Sequence, residues 1–114
     1  MEGCIFCQIA TGKTPARVVI QDDRTVAFHD INPQAPVHVL IIPRRHVGSL
    51  TELGEGDGAL LGHLMTQAIQ VARLSGLDPT GYRLVVNAGK DGNQTVGHLH
   101  VHVLGGRPMT WPPG

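Results

Sequence analysis

The chain has 114 residues, 41% of them hydrophobic, and its nine Lys+Arg balance nine Asp+Glu. One domain with one modest core is the expectation at that length, spanning residues 1–114. No basic run exceeds Arg44-Arg45, which disfavours an electrostatic nucleic-acid binder, and no apolar run approaches the ~20 residues of a membrane span. The N-terminus lacks the apolar core of a signal peptide, so a cytoplasmic location is expected. There the two cysteines are expected as metal ligands or free thiols rather than as a disulfide.

Cys4-Ile5-Phe6-Cys7 is a C-x2-C pair, half of a tetrahedral zinc site. Ile5, Phe6, Ile9 and Ala10 suit a short amphipathic turn ending at Gly12. Arg17 to Gln21 and Thr25 to Phe28 read as a hairpin around Asp22-Asp23. The next loop carries His29-Asp30-Ile31 into Asn32-Pro33-Gln34-Ala35-Pro36. Val37 to Ile42 has the β-branched, apolar pattern of a buried strand, closed by Pro43 and interrupted by His38, which reads as a core histidine. Arg44-Arg45-His46 follows on a loop.

A long helix is expected from about Asp57, with Leu60, Leu61, Leu64, Met65, Ala68, Val71, Ala72 and Leu74 on its core side and Gly76 at its C-cap. His63 falls off that stripe and is expected in solvent. Tyr82 to Asn87 reads as a further strand. Gly89 to Thr95 is a glycine-rich turn without the P-loop pattern, either an ordinary hairpin connection or an anion-binding nest of backbone N–H groups. Trp111 lies in an extended tail and is expected to dock on another surface, such as a second subunit.

His98-Leu99-His100-Val101-His102-Val103-Leu104 places three of the seven histidines within five residues. On a strand His98, His100 and His102 would share one face, with Leu99, Val101 and Val103 turned to a core. Alternate residues lie ~6.5–7 Å apart along a strand, too far for those imidazoles to bond one another or converge on one metal ion. That row is either a solvated polar face or a site for phosphorus chemistry. In the second case one imidazole attacks phosphorus while a neighbour and nest amides hold the phosphate oxygens, and the Thr95 hydroxyl serves the leaving group. The sequence offers no carboxylate cluster suited to catalytic magnesium, so a metal-free mechanism is expected.

Gln94-Thr95-Val96-Gly97 leading into that stretch resembles the signature of the histidine-triad superfamily. The likeness extends to Asp30 through His38 and to Pro43-Arg44-Arg45-His46, and the ending Gly105 to Gly114 is similar to the nucleotide-binding Hint branch. The resemblance implies an α+β fold, a five-stranded antiparallel sheet with one long and one short helix, dimerising into a ten-stranded sheet. It also implies a purine nucleoside phosphoramidase that cleaves the P–N bond of adenosine 5′-phosphoramidates and releases AMP. His100 would be the nucleophile and His102 the α-phosphate ligand, with Asn87, Gln94, Thr95 and Val96 near the phosphate and His38 orienting the triad. Asp30 would hold the ribose, while Phe6, Ile9, Phe28, Ile31 and Leu40 enclose the base. Trp111 would reach the partner subunit's site.

Thr95 stands where this branch often has Ser, and Gly97 where a bulky residue is frequent. Some bacterial members bind zinc through C-x2-C and two later histidines, and the matching positions are Cys4, Cys7, His46 and His98. A structural zinc there would take His98 out of the catalytic row. The competing implications are a dinucleoside polyphosphate hydrolase or nucleotidyl transferase using the same His100, and a non-catalytic nucleotide-binding dimer.

Overall fold

A computed structural model describes residues 3–114. The N-terminal turn is a short helix, α1 (Ile5–Ala10). It is followed by the hairpin of β1 (Val18–Gln21) and β2 (Thr25–His29), then by the buried strand β3 (Val37–Pro43). Two single 3-10 turns, Leu50–Glu52 and Glu55–Asp57, lead into the long helix α2 (Gly58–Leu74). The chain returns through β4 (Tyr82–Val85) and β5 (Val101–Gly105). The strands form one five-stranded sheet in the order β1-β2-β3-β5-β4, with every neighbouring pair antiparallel. This is the α+β architecture expected from the sequence.

Strand pleating divides the molecule into two apolar layers, because alternate residues point to opposite faces. Ala27, Val39, Ile41, Val101 and Val103 pack against Leu64, Ala68, Val71 and Ala72 of α2. Val26, Phe28, Leu40 and Ile42 face the other way and pack with Phe6 and Ala10 of α1. His102 lies opposite Leu40 in the β3–β5 register, and His38 is two residues from Leu40. Both imidazoles therefore belong to the α1 layer.

Local chemistry fixes the ends of these elements. Asp22 Oδ1 accepts hydrogen bonds from Arg24 N at 2.9 Å, Thr25 N at 2.8 Å and the Thr25 hydroxyl at 3.0 Å, which turns the first hairpin. At the end of α2, Gly76 N bonds to Arg73 O and Leu77 N to Ala72 O, closing a Schellman motif. Gly76 takes φ 72° there, a conformation that costs glycine little.

Four expectations change. Met65 and Leu74 are not on the core side of α2: they are 42% and 63% exposed, because the buried stripe is only the narrower one of Leu64, Ala68, Val71 and Ala72. His63 is not a solvated residue: its Nε2 lies 2.6 Å from Asp22 Oδ2 and its side chain is only 17% exposed. The carboxylate at the hairpin supplied a partner that helical periodicity could not reveal. Strand β4 ends at Val85 rather than Asn87, whose side-chain amide instead donates to Gly92 O across the following turn. The histidine stretch is also not one flat strand. Ladder pairing with β3 begins at Val101, while Leu99 N donates to Val47 O at 2.7 Å. That bond draws His98 to His100 away from the sheet, although Leu99, Val101 and Val103 keep their expected core orientation.

Candidate active site and metal centre

A cavity of about 630 Å³ opens on the α1 side of the sheet. It is walled by Phe6, Ile9, Phe28, Ile31, Leu40 and Val96, with Asp30, His38, Thr95, His100 and His102 supplying polar groups. Of the residues expected to meet a nucleotide, only Asn87 and Gln94 are not in its wall. Gln94 instead staples the turn: its Nε2 donates to Gly48 O and Val96 O, and its Oε1 accepts from Gly89 N. Ile5, Pro15, Ala16, His29, Asn32, Gln34 and Asn93 complete the wall. Ile5 is the residue next to Phe6, and Asn93 belongs to the glycine-rich turn, so both lie beside signals the sequence carries. Ile31 is 100% exposed at the rim. A Cβ at Gly97 would meet no atom beyond its chain neighbours within 4 Å, so there is room for a side chain at that position.

Hydrogen-bond partners assign the protons on each imidazole, because a backbone N–H can only donate and a carbonyl can only accept. Gln34 N donates to His38 Nδ1 at 3.0 Å, so His38 carries its proton on Nε2. That N–H donates to His102 Nδ1 at 2.9 Å and also lies 3.4 Å from Asp30 Oδ2. His102 is therefore left with an Nε2–H donor. His100 Nδ1 donates to His98 O at 2.7 Å, which leaves an unprotonated Nε2 lone pair. The His100 and His102 rings stand 4.9 Å apart between centroids.

Burial favours the neutral form of His38 and His102. Burial pushes His102 down to about 4, reinforced by the charges His100 and His38 would carry and opposed by Asp30. Burial also lowers His38, against the attraction of Asp30. Asp30, His38 and His102 place one donor atom each within 4.8 Å of one another, as a metal site would. A metal on His38 Nε2 would displace its proton while Nδ1 still accepted from Gln34 N, leaving an imidazolate. The trio is better suited to relaying charge than to holding an ion.

A second group of side chains lies beyond the first. The donor atoms of Cys4, Cys7, His46 and His98 also fall within 4.8 Å of one another. His98 Nδ1 is 3.3 Å from Cys4 Sγ and 3.5 Å from Cys7 Sγ, and His46 Nδ1 is 3.2 Å from Cys7 Sγ. Sulfur–nitrogen edges of about 3.5 Å are expected around a tetrahedral ion with Zn–S near 2.3 Å and Zn–N near 2.0 Å. His98, fully buried, donates its Nε2–H to Pro43 O at 2.8 Å, so its Nδ1 lone pair is aimed at the thiols. Metal-bound histidines usually show this arrangement. Burial and then the neighbouring Cys4 thiol raise the Cys7 thiol, the environment in which a cation favours two thiolates. Two sulfur and two nitrogen donors in a closed pocket fit zinc.

The fold and cavity define a small α+β protein with a histidine-lined ligand cleft beside a Cys2His2 centre. Residues 11–109 match the family model of the HIT domain, and the chain belongs to that family. It is 50% identical over 113 residues to an uncharacterised HIT-like protein of Synechocystis, covering 99% of this chain and 98% of that protein. The crystal structure of a HIT family hydrolase from Legionella pneumophila has a TM-score of 0.96 to it at 48% identity, covering 98% of this chain and all of that one. A zinc-bound histidine triad family protein from Mycobacterium smegmatis is similar at TM-score 0.78 and 34% identity, covering 93% of this chain and 76% of that one.

Proposed function

We propose that this HIT protein is a nucleotide-binding hydrolase that cleaves the P–N bond of adenosine 5′-phosphoramidates and releases AMP. The observation that carries this reading is the His100 tautomer. With Nδ1–H committed to His98 O, the Nε2 lone pair is free at the cavity beside the His102 Nε2–H donor. In the first step His100 Nε2 bonds to phosphorus as the P–N bond breaks. The departing amine takes a proton relayed from solvent by the Thr95 hydroxyl. Water then attacks phosphorus, the P–Nε2 bond breaks, and a proton returns to solvent. His102 donates to a phosphate oxygen in both steps, where fixed donors lower the barrier most. His38 holds His102 in the required tautomer.

The base lies among Phe6, Ile9, Phe28, Ile31 and Leu40, the ribose hydroxyls donate to Asp30, and Val96 borders the phosphate. Asn87 and Gln94 act at one remove, by fixing the turn that carries Thr95. Zinc at Cys4, Cys7, His46 and His98 is structural and ties α1 to the chain entering β5. The Legionella hydrolase supports the hydrolase class and the zinc-bound mycobacterial protein supports the metal, each by similarity. Residues 1–114 act as one HIT domain that pairs through the β4 edge into a ten-stranded homodimer. Trp111, 81% exposed in the single chain, reaches the partner's site there. Among the described residues no helix is long and apolar enough to cross a membrane, and the protein works in the cytoplasm.

The test follows amine and AMP release from an adenosine 5′-phosphoramidate by wild type and His100→Ala. Release by the wild type alone is expected. AMP binding without release by either protein would favour a non-catalytic dimer. Turnover confined to diadenosine polyphosphates would move the assignment to the hydrolase of those compounds.

A further inference from the structure

We propose that Asp30 has a second task beyond the ribose: its carboxylate is the counter-charge for the positive charge that forms on His100, acting through His38 and His102. The inference rests on the covalent reading above. When His100 Nε2 bonds to phosphorus and Nδ1 keeps its proton on His98 O, the ring becomes an imidazolium in a buried cluster of imidazoles. The phosphoryl oxygen bonded through phosphorus to Nε2 offsets part of that charge, and a further carboxylate close to the buried ring would offset more.

Asp30 is placed to supply it. Its Oδ1 is pinned by Asn32 N at 2.8 Å, which sets the other oxygen 3.4 Å from His38 Nε2. The His38 N–H continues to His102 Nδ1 at 2.9 Å, and the His102 ring stands 4.9 Å from that of His100. Only the His38–His102 link is a hydrogen bond; Asp30 faces His38 at ion-pair distance and His102 faces His100 through ring contact. The carboxylate therefore acts on His100 through space and through the polarised His38–His102 pair. On this account Asp30 is a positioning residue for the charged transition state as well as a ribose ligand.

The two roles separate when the ribose hydroxyls are removed. Wild type and Asp30→Asn are compared on adenosine 5′-phosphoramidate and on its 2′,3′-dideoxy analogue, with kcat and KM measured for each. Asparagine keeps an acceptor for Asn32 N but has no charge. Asp30→Ser, whose hydroxyl can accept the same N–H, repeats the measurement in a second background. The expected result on the dideoxy substrate is a kcat about tenfold lower in both variants, with KM little changed, equivalent to roughly one pKa unit of lost charge stabilisation. On the ribose substrate KM rises as well. Equal kcat for wild type and variants on the dideoxy substrate would leave Asp30 as a ribose ligand only and overturn the inference. Where the wild type turns over the dideoxy substrate too slowly to measure, kcat at saturating ribose substrate is compared instead, and equal kcat for wild type and variants there overturns the inference. A wild type inactive on the ribose substrate would instead remove the proposed reaction itself.

Discussion

His98 and His100 are two residues apart and both buried, yet their imidazoles are prepared for opposite work. His98 gives its Nε2–H to Pro43 O and turns a bare Nδ1 to two thiols. His100 gives its Nδ1–H to His98 O and turns a bare Nε2 to the cavity. The side chains are chemically identical, so the difference comes from which nitrogen meets a backbone carbonyl. A carbonyl beside one ring nitrogen fixes the proton there and leaves the other nitrogen bare, facing the thiols on His98 and the cavity on His100, which suits the metal-ligand and nucleophile roles proposed above. The carbonyl that prepares His100 belongs to His98, so the metal centre and the cavity share one peptide unit.

The sharpest way to break this comparison is His100→Ala. Turnover should fall on the order of 10⁴-fold or more, as for loss of a covalent nucleophile, with the fold and AMP binding kept. Substantial phosphoramidate hydrolysis by the variant would show that the bare Nε2 is not the attacking atom. The other half of the comparison is tested by Cys7→Ser. Zinc content should drop and the melting temperature fall by about 10 °C or more, since binding to a closed site contributes directly to folding. Turnover should fall far less than in His100→Ala, through a looser His98 carbonyl. Unchanged metal content by elemental analysis would reject the site.

A third kind of histidine sharpens the contrast at smaller scale. His63 is paired with Asp22 rather than with a carbonyl, and His63→Ala should cost about 1–2 kcal/mol, read from urea unfolding. Burial alone would raise the Asp22 carboxyl, but hydrogen bonds from Arg24 N, Thr25 N, His63 and the Thr25 hydroxyl hold it well below the usual carboxylate range. A depressed folded value means this stabilisation is complete above the unfolded carboxyl pKa of about 3.9 and is lost as pH falls through the lower folded one. As pH falls, the gap between wild type and His63→Ala should therefore narrow below about pH 4. A gap that closed already near pH 6 would contradict the pairing.

Much of this was legible in residue order. The apolar run of β3 and the alternation along β5 mark the core strands. The apolar stripe of α2 and Gly76 mark the long helix and its end, though not the exposure of Met65 and Leu74, and resemblance matches Cys4, Cys7, His46 and His98. What stayed hidden depends on contacts between distant residues. The departure of His98 to His100 from the sheet follows from the Leu99–Val47 bond, and the pairing of His63 follows from the hairpin carboxylate on another element. Tautomers were unreadable for the same reason: Gln34 N, Pro43 O and His98 O select them, and backbone groups leave no mark on side-chain spacing.

The most direct test of the central claim is the protonation of each ring nitrogen, read by long-range proton–nitrogen NMR on isotope-labelled histidines near neutral pH. The account predicts a protonated Nδ1 and bare Nε2 for His100, with the reverse for His98 and for His102. A protonated Nε2 on His100 would leave no lone pair facing phosphorus and would contradict the account.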